Sequence, residues 1–228
     1  AHFWARKLQC FGHTVRLISP QFVKPYVKSN KNDRADAQAI CEAVARPSMR
    51  FVAVKTPEQQ ALLAVHRARQ GFVKMRTALA NQIRGLLSEF SIVMAQGLRV
   101  VLLQAAVMAA DERLCLPAPM RTLIAQLHQQ LKALDEQVSQ LEQIIAATAQ
   151  PDSLERRLQQ VPGIGPITSS ALVATVGDAA LFANGRQLAA WLGLVPRQHS
   201  SGGKDKLLGI SKRGDGYVRT LLIHGARS

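Results

Sequence analysis

Met120-Arg121-Thr122-Leu123-Ile124-Ala125-Gln126-Leu127-His128-Gln129-Gln130-Leu131-Lys132-Ala133-Leu134-Asp135-Glu136-Gln137-Val138-Ser139-Gln140-Leu141-Glu142-Gln143-Ile144-Ile145 is the stretch that decides the architecture. Within it Met120, Ile124, Leu127, Leu131, Leu134, Val138, Leu141 and Ile145 follow one another at alternating spacings of four and three. That alternation is an a/d heptad seam. It runs over about 26 residues, or roughly 39 Å of helix at a rise near 1.5 Å per residue. The seam has to be covered. A second copy of the chain would make it a coiled coil, and the helix just upstream would make it a hairpin. The spacing allows either.

That upstream helix opens at Thr56-Pro57-Glu58, with proline at the first helical position, and its pattern runs to Phe90. Pro117 and Pro119 mark the break before the seam, and Pro151-Asp152-Ser153 ends it and caps the next helix. Leu158-Gln159-Gln160-Val161-Pro162-Gly163-Ile164-Gly165-Pro166 follows, then an apolar helix through Ala171, Leu172 and Val176. This pattern resembles a helix-hairpin-helix, in which Gly163 and Gly165 let backbone N–H groups approach a DNA phosphate. A tight helix–helix turn without a ligand would read the same way. A helix over Arg186–Leu194 leads to Pro196, then a flexible, basic, hydroxyl-rich tail from Arg197 through Gly214, and a helix over Tyr217–His224.

The first residues read differently. A short helix over His2–Phe11 closes at Gly12, Thr14–Pro20 and Met49–Val54 read as strands, and a basic loop runs from Lys24 to Lys31. Asp33–Ala45 is a helix whose Ala37, Ile40, Cys41 and Val44 lie at helical spacing. This portion reads as the tail of an α/β domain.

Charge divides the 228 residues the same way: net +7 over residues 1–55, +1 over 56–185 and +6 over 186–228, for a total of +14. Two basic ends around a neutral helical middle point to a polyanion. With 47% hydrophobic residues the chain is not disordered as a whole. The longest uncharged stretch, Leu158–Gly177, is interrupted by Pro162 and Pro166, so no membrane span is expected. Three cysteines, Cys10, Cys41 and Cys115, have no paired spacing and point to a reducing cytosol rather than a disulfide framework.

Two groups of residues carry chemistry. Asp33 and Asp36 stand three apart on one helix face and suit a magnesium ion, which takes few carboxylates and keeps waters. An acidic pair in a first helical turn is more often a cap than a metal site, and these two residues alone favour the cap. Ser201 lies in Ser200-Ser201-Gly202-Gly203, near Arg197, Lys204, Lys206, Lys212, Arg213 and Arg219. Those cations suit charge developing on a phosphate. A hydroxyl needs a base or metal to become a nucleophile, and His199 is the adjacent imidazole. A Ser/Gly linker is the alternative reading of this stretch.

In order, Asn30-Lys31-Asn32-Asp33-Arg34-Ala35-Asp36-Ala37, Val161-Pro162-Gly163-Ile164-Gly165, Leu192-Gly193-Leu194-Val195-Pro196, Ser200-Ser201-Gly202-Gly203-Lys204 and Ile210-Ser211-Lys212-Arg213-Gly214-Asp215 resemble the insertion sequence one-ten family. These are the bacterial DEDD transposases, or bridge recombinases. Ala1-His2-Phe3-Trp4-Ala5-Arg6-Lys7-Leu8 is similar to its eleven-eleven branch. The resemblance implies an RNase H-like domain with four acidic Mg²⁺ ligands, a coiled-coil insertion and a C-terminal domain with a serine nucleophile. Asp33 and Asp36 match the third and fourth acids, and Ser201 matches the nucleophile that forms a phosphoserine link to DNA. A structured guide RNA and a homo-oligomer, a dimer or a tetramer on DNA, are implied as partners. The bacterial cytoplasm, at the nucleoid, is the implied location.

The family's first two acids precede the position matching Ala1, and its later helices follow the position of Ser228. Residues 1–228 are therefore expected to bind nucleic acid without completing strand transfer. The expected fold is mostly α, with a partial RNase H-like domain over residues 1–55, a helical coiled-coil region over 56–150 and a partial transposase domain over 151–228. The competing classes are a non-catalytic DNA- or RNA-binding remnant and a helical oligomerisation scaffold with an incidental basic surface.

Overall fold

A computed structural model describes residues 1–28 and 32–227; Ser29, Asn30 and Lys31 of the expected basic loop, with Ser228, lie outside the described residues. The chain is mostly helical and forms two compact units.

The first unit comprises Ala1–Ala61 with Val176–Ala183. Helix α1 (His2–Cys10) is followed by strand β1 (Leu17–Ile18), a four-residue helix α2 (Pro20–Val23), helix α3 (Asp33–Val44) and strand β2 (Phe51–Val52). The two strands pair antiparallel, Leu17 opposite Val52 and Ile18 opposite Phe51. Both expected strands are present but far shorter than their sequence runs.

Helix α3 corrects one expectation. Its buried residues are Ala39 and Ala43, whereas Ile40 is 49% exposed, Val44 38% exposed and Cys41 exposed. The two alanines lie four apart on the inner face, and the larger apolar side chains turn outward.

The second unit comprises Leu62–Thr175 with Asn184–Ser228. Helix α4 (Pro57–Ser88) begins in the first unit and enters this one, joined by α5 (Leu98–Ala110) and α6 (Ala118–Ala147). Among the seam residues of α6, Ile124, Leu131 and Ile145 are fully buried and Val138 nearly so, while Met120, Leu127, Leu134 and Leu141 are half-buried. The cover comes from the same chain. Arg69 of α4 donates from Nε to Glu142 of α6 (2.9 Å), and Arg76 pairs with Asp135. One step of seven up α4 is thus one step of seven down α6. The two ion pairs run antiparallel along α4 and α6. Leu87, Ala80, Ile124 and Leu131 share one core with Ile83 and with Val101, Ala105 and Ala109 of α5.

A second core joins α8 (Pro166–Val176), α9 (Gly185–Leu192) and α10 (Gly216–Gly225) through Ala171, Leu172, Leu192 and Val218. Helix α7 (Leu154–Leu158), capped by the Ser153 hydroxyl accepting from the Arg156 N–H, precedes α8. Between α9 and α10 strands β3 (Pro196–Gln198) and β4 (Leu207–Ile210) form an antiparallel hairpin. No helix among the described residues is long and apolar enough to cross a membrane.

Candidate functional site

Residues 196–210 are an ordered hairpin rather than the flexible tail read from the sequence. Its tip is a two-residue turn: the Lys204 N–H donates to the Ser201 carbonyl (3.1 Å), with φ +57° at Gly202 and +75° at Gly203. Positive φ at both central positions is the turn whose twist matches a right-twisted hairpin. A Cβ at either glycine would meet nothing within 4 Å, so glycine is required here by conformation and not by space.

The hairpin has two chemically distinct faces, because side chains alternate along a strand. On one, the Gln198 amide donates to the Ser200 hydroxyl (2.8 Å) and to Asp205 Oδ1 (3.2 Å). Alternation puts Arg197, His199 and Ser201 on the other. Lys206, whose carbonyl accepts from the His199 N–H (2.9 Å), and Lys204 stand across from them. Ser201 thus lies at the tip of a face bearing three permanent cations and one imidazole. Among the described residues no side chain bonds its hydroxyl. Asp205, the acid of this hairpin, is held on the opposite face.

The base of the hairpin is fixed by backbone packing too close for side chains. A Cβ on Gly193 would lie 1.9 Å from the Arg213 carbonyl oxygen, and one on Gly214 would lie 2.0 Å from that of Trp191. The Ser211 N–H donates to the Val195 carbonyl (2.8 Å), and the Lys212 N–H to that of Gly193 (3.1 Å). Lys212 adopts φ +54°, an uncommon conformation for a residue with a side chain. Lys212 and Arg213 project from this loop as exposed cations. Arg219 differs from its expected role in one respect: its Nη1 donates inward, to the carbonyls of Leu192 (2.9 Å) and Arg213 (3.2 Å). It brackets the end of α9 to the loop. Asp215 accepts from the Tyr217 and Val218 N–H groups (2.8 and 2.9 Å) and starts α10.

The Gly163 turn also has an internal explanation. Its φ is +82°, and a Cβ there would lie 2.2 Å from the Gly225 carbonyl oxygen at the end of α10. The close approach that this glycine permits is made by the chain itself. Gly165 faces open space just before α8.

Asp33 and Asp36 stand in the first turn of α3. The cap is Asn32, whose side-chain oxygen accepts from the Ala35 N–H (2.8 Å), so the aspartates are not needed to cap the helix. Asp33 is exposed and Asp36 half-buried, and no side chain among the described residues bonds either carboxylate. Two uncommitted carboxylates on one turn fit Mg²⁺, which takes few carboxylates. No third His, Cys, Asp or Glu among the described residues joins them as a candidate ligand group. The aspartates belong to the first unit and Ser201 to the second.

One group escaped the sequence reading. His66 of α4, 1% exposed, bonds Tyr217 Oη of α10 through Nδ1 (3.2 Å) and Ser170 Oγ of α8 through Nε2 (3.1 Å). Burial, and next the neighbouring Arg69 charge, lower its pKa to about 4. Burial likewise raises that of Tyr217. A lone histidine in a long helix gives no sequence signal for this role.

The second unit is a helical scaffold that presents a cation-rich hairpin with a serine at its tip. The chain belongs to the IS110/IS116/IS902 family of transposases. Residues 155–228 match the family model described as "Transposase IS116/IS110/IS902 family", and residues 3–92 match the DEDD IS110 model described as "Transposase". The chain is 54% identical over 229 residues to a "Probable family 20 transposase" of Pseudomonas aeruginosa, covering all of this chain and 68% of that one. It is 49% identical to the transposase for insertion sequence element IS1111A of Coxiella burnetii, of which it spans 63%, and 47% identical to that for IS1328 of Yersinia enterocolitica, of which it spans 67%. In each case all of this chain is covered.

Proposed function

We propose that this chain is the nucleophile-bearing and nucleic-acid-engaging portion of an insertion-sequence transposase that cuts and rejoins DNA. The observation that carries the reading is the Ser201 turn: a serine at a hairpin tip, on the face that holds Arg197, His199, Lys204 and Lys206. The Ser201 oxygen attacks the phosphorus of a DNA phosphodiester. The bond from phosphorus to the leaving deoxyribose oxygen breaks as the serine–phosphorus bond forms. The hydroxyl proton passes to a base, for which His199 is the imidazole on that face, and the departing oxygen takes up a proton. Arg197, Lys204 and Lys206 meet the charge that gathers on the non-bridging oxygens. Lys212 and Arg213, on their rigid loop, and Gly165, at the start of α8, extend the contact along the DNA backbone, with Arg219 as the bracket behind them.

Asp33 and Asp36 would hold Mg²⁺, which when bound supplies Lewis-acid stabilisation of phosphate oxygens. Residues 1–55 are read as part of an RNase H-like domain, 56–150 as the helical region and 151–228 as part of the transposase domain. The two basic ends suit an element-encoded guide RNA beside the DNA. A homo-oligomer, a dimer or a tetramer on DNA, is the assembly this reading takes from the family resemblance; sedimentation as a strict monomer at high concentration would remove it. Residues 1–228 alone bind nucleic acid without completing strand transfer; Mg²⁺-dependent recombination by this chain alone would overturn that statement.

The test is binding of a labelled DNA duplex across a salt series. Removing one cation that meets a phosphate flattens the logarithmic salt slope by about 0.9. Lys204→Gln with Lys206→Gln is expected to flatten it by nearly twice that with the thermal transition unchanged. An unaltered slope would remove the hairpin from the DNA interface.

A further inference from the structure

His66 and Tyr217 are bonded to each other, and neither has a place in the chemistry proposed above. Their rings lie 5.7 Å apart, centre to centre, at 57°, and the Tyr217 hydroxyl is 3.2 Å from His66 Nδ1. On the other side of the ring, Nε2 meets the hydroxyl of Ser170 (3.1 Å), which is itself 1% exposed. Burial keeps the imidazole neutral, so one of its nitrogens donates and the other accepts. One side chain of α4 thus reaches both α8 and α10. Apolar contacts alone would tolerate a small slide of one helix along another. A buried donor facing a buried acceptor does not, because the slide would leave both unpaired away from water.

Tyr217 stands where such a tie governs the hairpin. It lies in the first turn of α10, where Asp215 Oδ1 accepts from its N–H and from that of Val218. The Val218 side chain is fully buried, in one core with Leu192 at the end of α9. The loop ahead of α10, Ser211–Gly214, bonds the hairpin base: the Ser211 N–H donates to the Val195 carbonyl and the Lys212 N–H to that of Gly193. Val195 immediately precedes β3 and Ser211 immediately follows β4. Arg219, in the next turn of α10, donates to the carbonyls of Leu192 and Arg213. The end of α9, this loop and the start of α10 are therefore bonded into one block, and both strands of the hairpin leave from it.

We infer that Tyr217 is a positioning residue for Ser201: its hydroxyl, gripped by His66, fixes the start of α10 and, through the Ser211–Gly214 loop, the base of the hairpin. The use of that placement in DNA chemistry rests on the reading of Ser201 given above, whereas the placement itself does not.

The test is amide hydrogen exchange on the whole chain, read beside its global stability in urea, with no DNA or metal present. Tyr217→Phe keeps the ring and deletes the hydroxyl, leaving one nitrogen of His66 without its partner. Exchange at the Ser211 and Lys212 N–H groups is expected to quicken about tenfold beyond what the loss of global stability accounts for. Amides of the α4–α5–α6 core, such as those of Val101, Ala105 and Leu131, follow global stability alone. Leu172→Ala, in the same core as Val218 but away from the hydroxyl, lowers global stability without that excess. Two replacements of His66 sharpen the reading. The amide nitrogen of glutamine falls near the Nε2 position and that of asparagine near Nδ1. His66→Gln therefore gives up Tyr217 and reproduces the excess, whereas His66→Asn keeps Tyr217 and suppresses it, although asparagine is the poorer helix former. Added to Tyr217→Phe, His66→Gln changes little further at the hairpin base, since the hydroxyl acts through the imidazole. Exchange in Tyr217→Phe that merely tracks global stability would overturn the inference, as would equal excess in His66→Gln and His66→Asn. An unaltered salt slope in the Lys204→Gln, Lys206→Gln variant would sink the DNA reading and leave this result standing, so the two failures are told apart.

Discussion

Acidification is expected to loosen the second unit through one side chain. His66 is enclosed by α4, α8 and α10, with both ring nitrogens bonded, to Tyr217 and Ser170. Its pKa falls from 6.5 to about 4 because burial, and then Arg69, disfavour the charged ring. The unfolded chain takes up this proton as pH drops through 6.5, whereas the folded chain refuses it until near pH 4. The stability that depends on neutral His66 is therefore complete above pH 6.5 and is lost progressively between 6.5 and 4. At about 1.36 kcal/mol for each pH unit between the folded and unfolded values, the loss approaches about 3 kcal/mol. Urea denaturation of the unaltered chain and of His66→Gln, at matched ionic strength, isolates the contribution, since all other titrations are common to both. The stability difference between the two should shrink by about 3 kcal/mol from pH 7 to pH 4. Parallel stability curves for the two proteins would refute the reasoning.

The glycines and the core give sharper local outcomes. Gly163→Ala puts a Cβ 2.2 Å from the Gly225 carbonyl oxygen in a left-handed conformation; it should lower stability by more than about 2 kcal/mol. Gly165→Ala has open space and should stay within about 0.5 kcal/mol of the unaltered chain, so weakened DNA binding by that variant would report that the backbone no longer reaches a phosphate. Gly203→Ala strains only the hairpin tip, by about 1 kcal/mol, and should speed amide exchange at Lys204 and His199 while leaving the global transition in place. Leu131→Ala empties the centre of the α4–α5–α6 core and should cost about 2–5 kcal/mol by chemical denaturation.

Why some of this was legible and some not follows from range. The α6 seam announces itself because one face of a long helix repeats in the chain, and its burial follows the heptad at Ile124, Leu131, Val138 and Ile145. Helix α5 carries no such signal: Val100, Val101, Leu102, Leu103 and Val107 are apolar all round, and Leu103 and Val107 remain exposed. In α3 the sequence pattern favours the bulky residues, yet packing chose the small ones, Ala39 and Ala43. The Gly202-Gly203 turn reads as part of a flexible tail, although a two-residue Gly-Gly link is a hairpin signal, because its serine-rich surroundings give it the look of a linker. The partners of Gly163 and His66 lie far along the chain, at Gly225, Ser170 and Tyr217, beyond any local pattern.

The most direct measurement concerns Ser201. Residues 1–228 would be exchanged for the corresponding region of the Pseudomonas aeruginosa relative, and the chimaera incubated with Mg²⁺ and a nicked, end-labelled DNA substrate that traps covalent intermediates. The unaltered relative serves as the positive control. The account predicts a DNA–peptide adduct that maps to Ser201, is abolished by Ser201→Ala, and is lost when Asp33 and Asp36 are changed to Asn. An adduct that persists in Ser201→Ala, or maps to another residue, would contradict it.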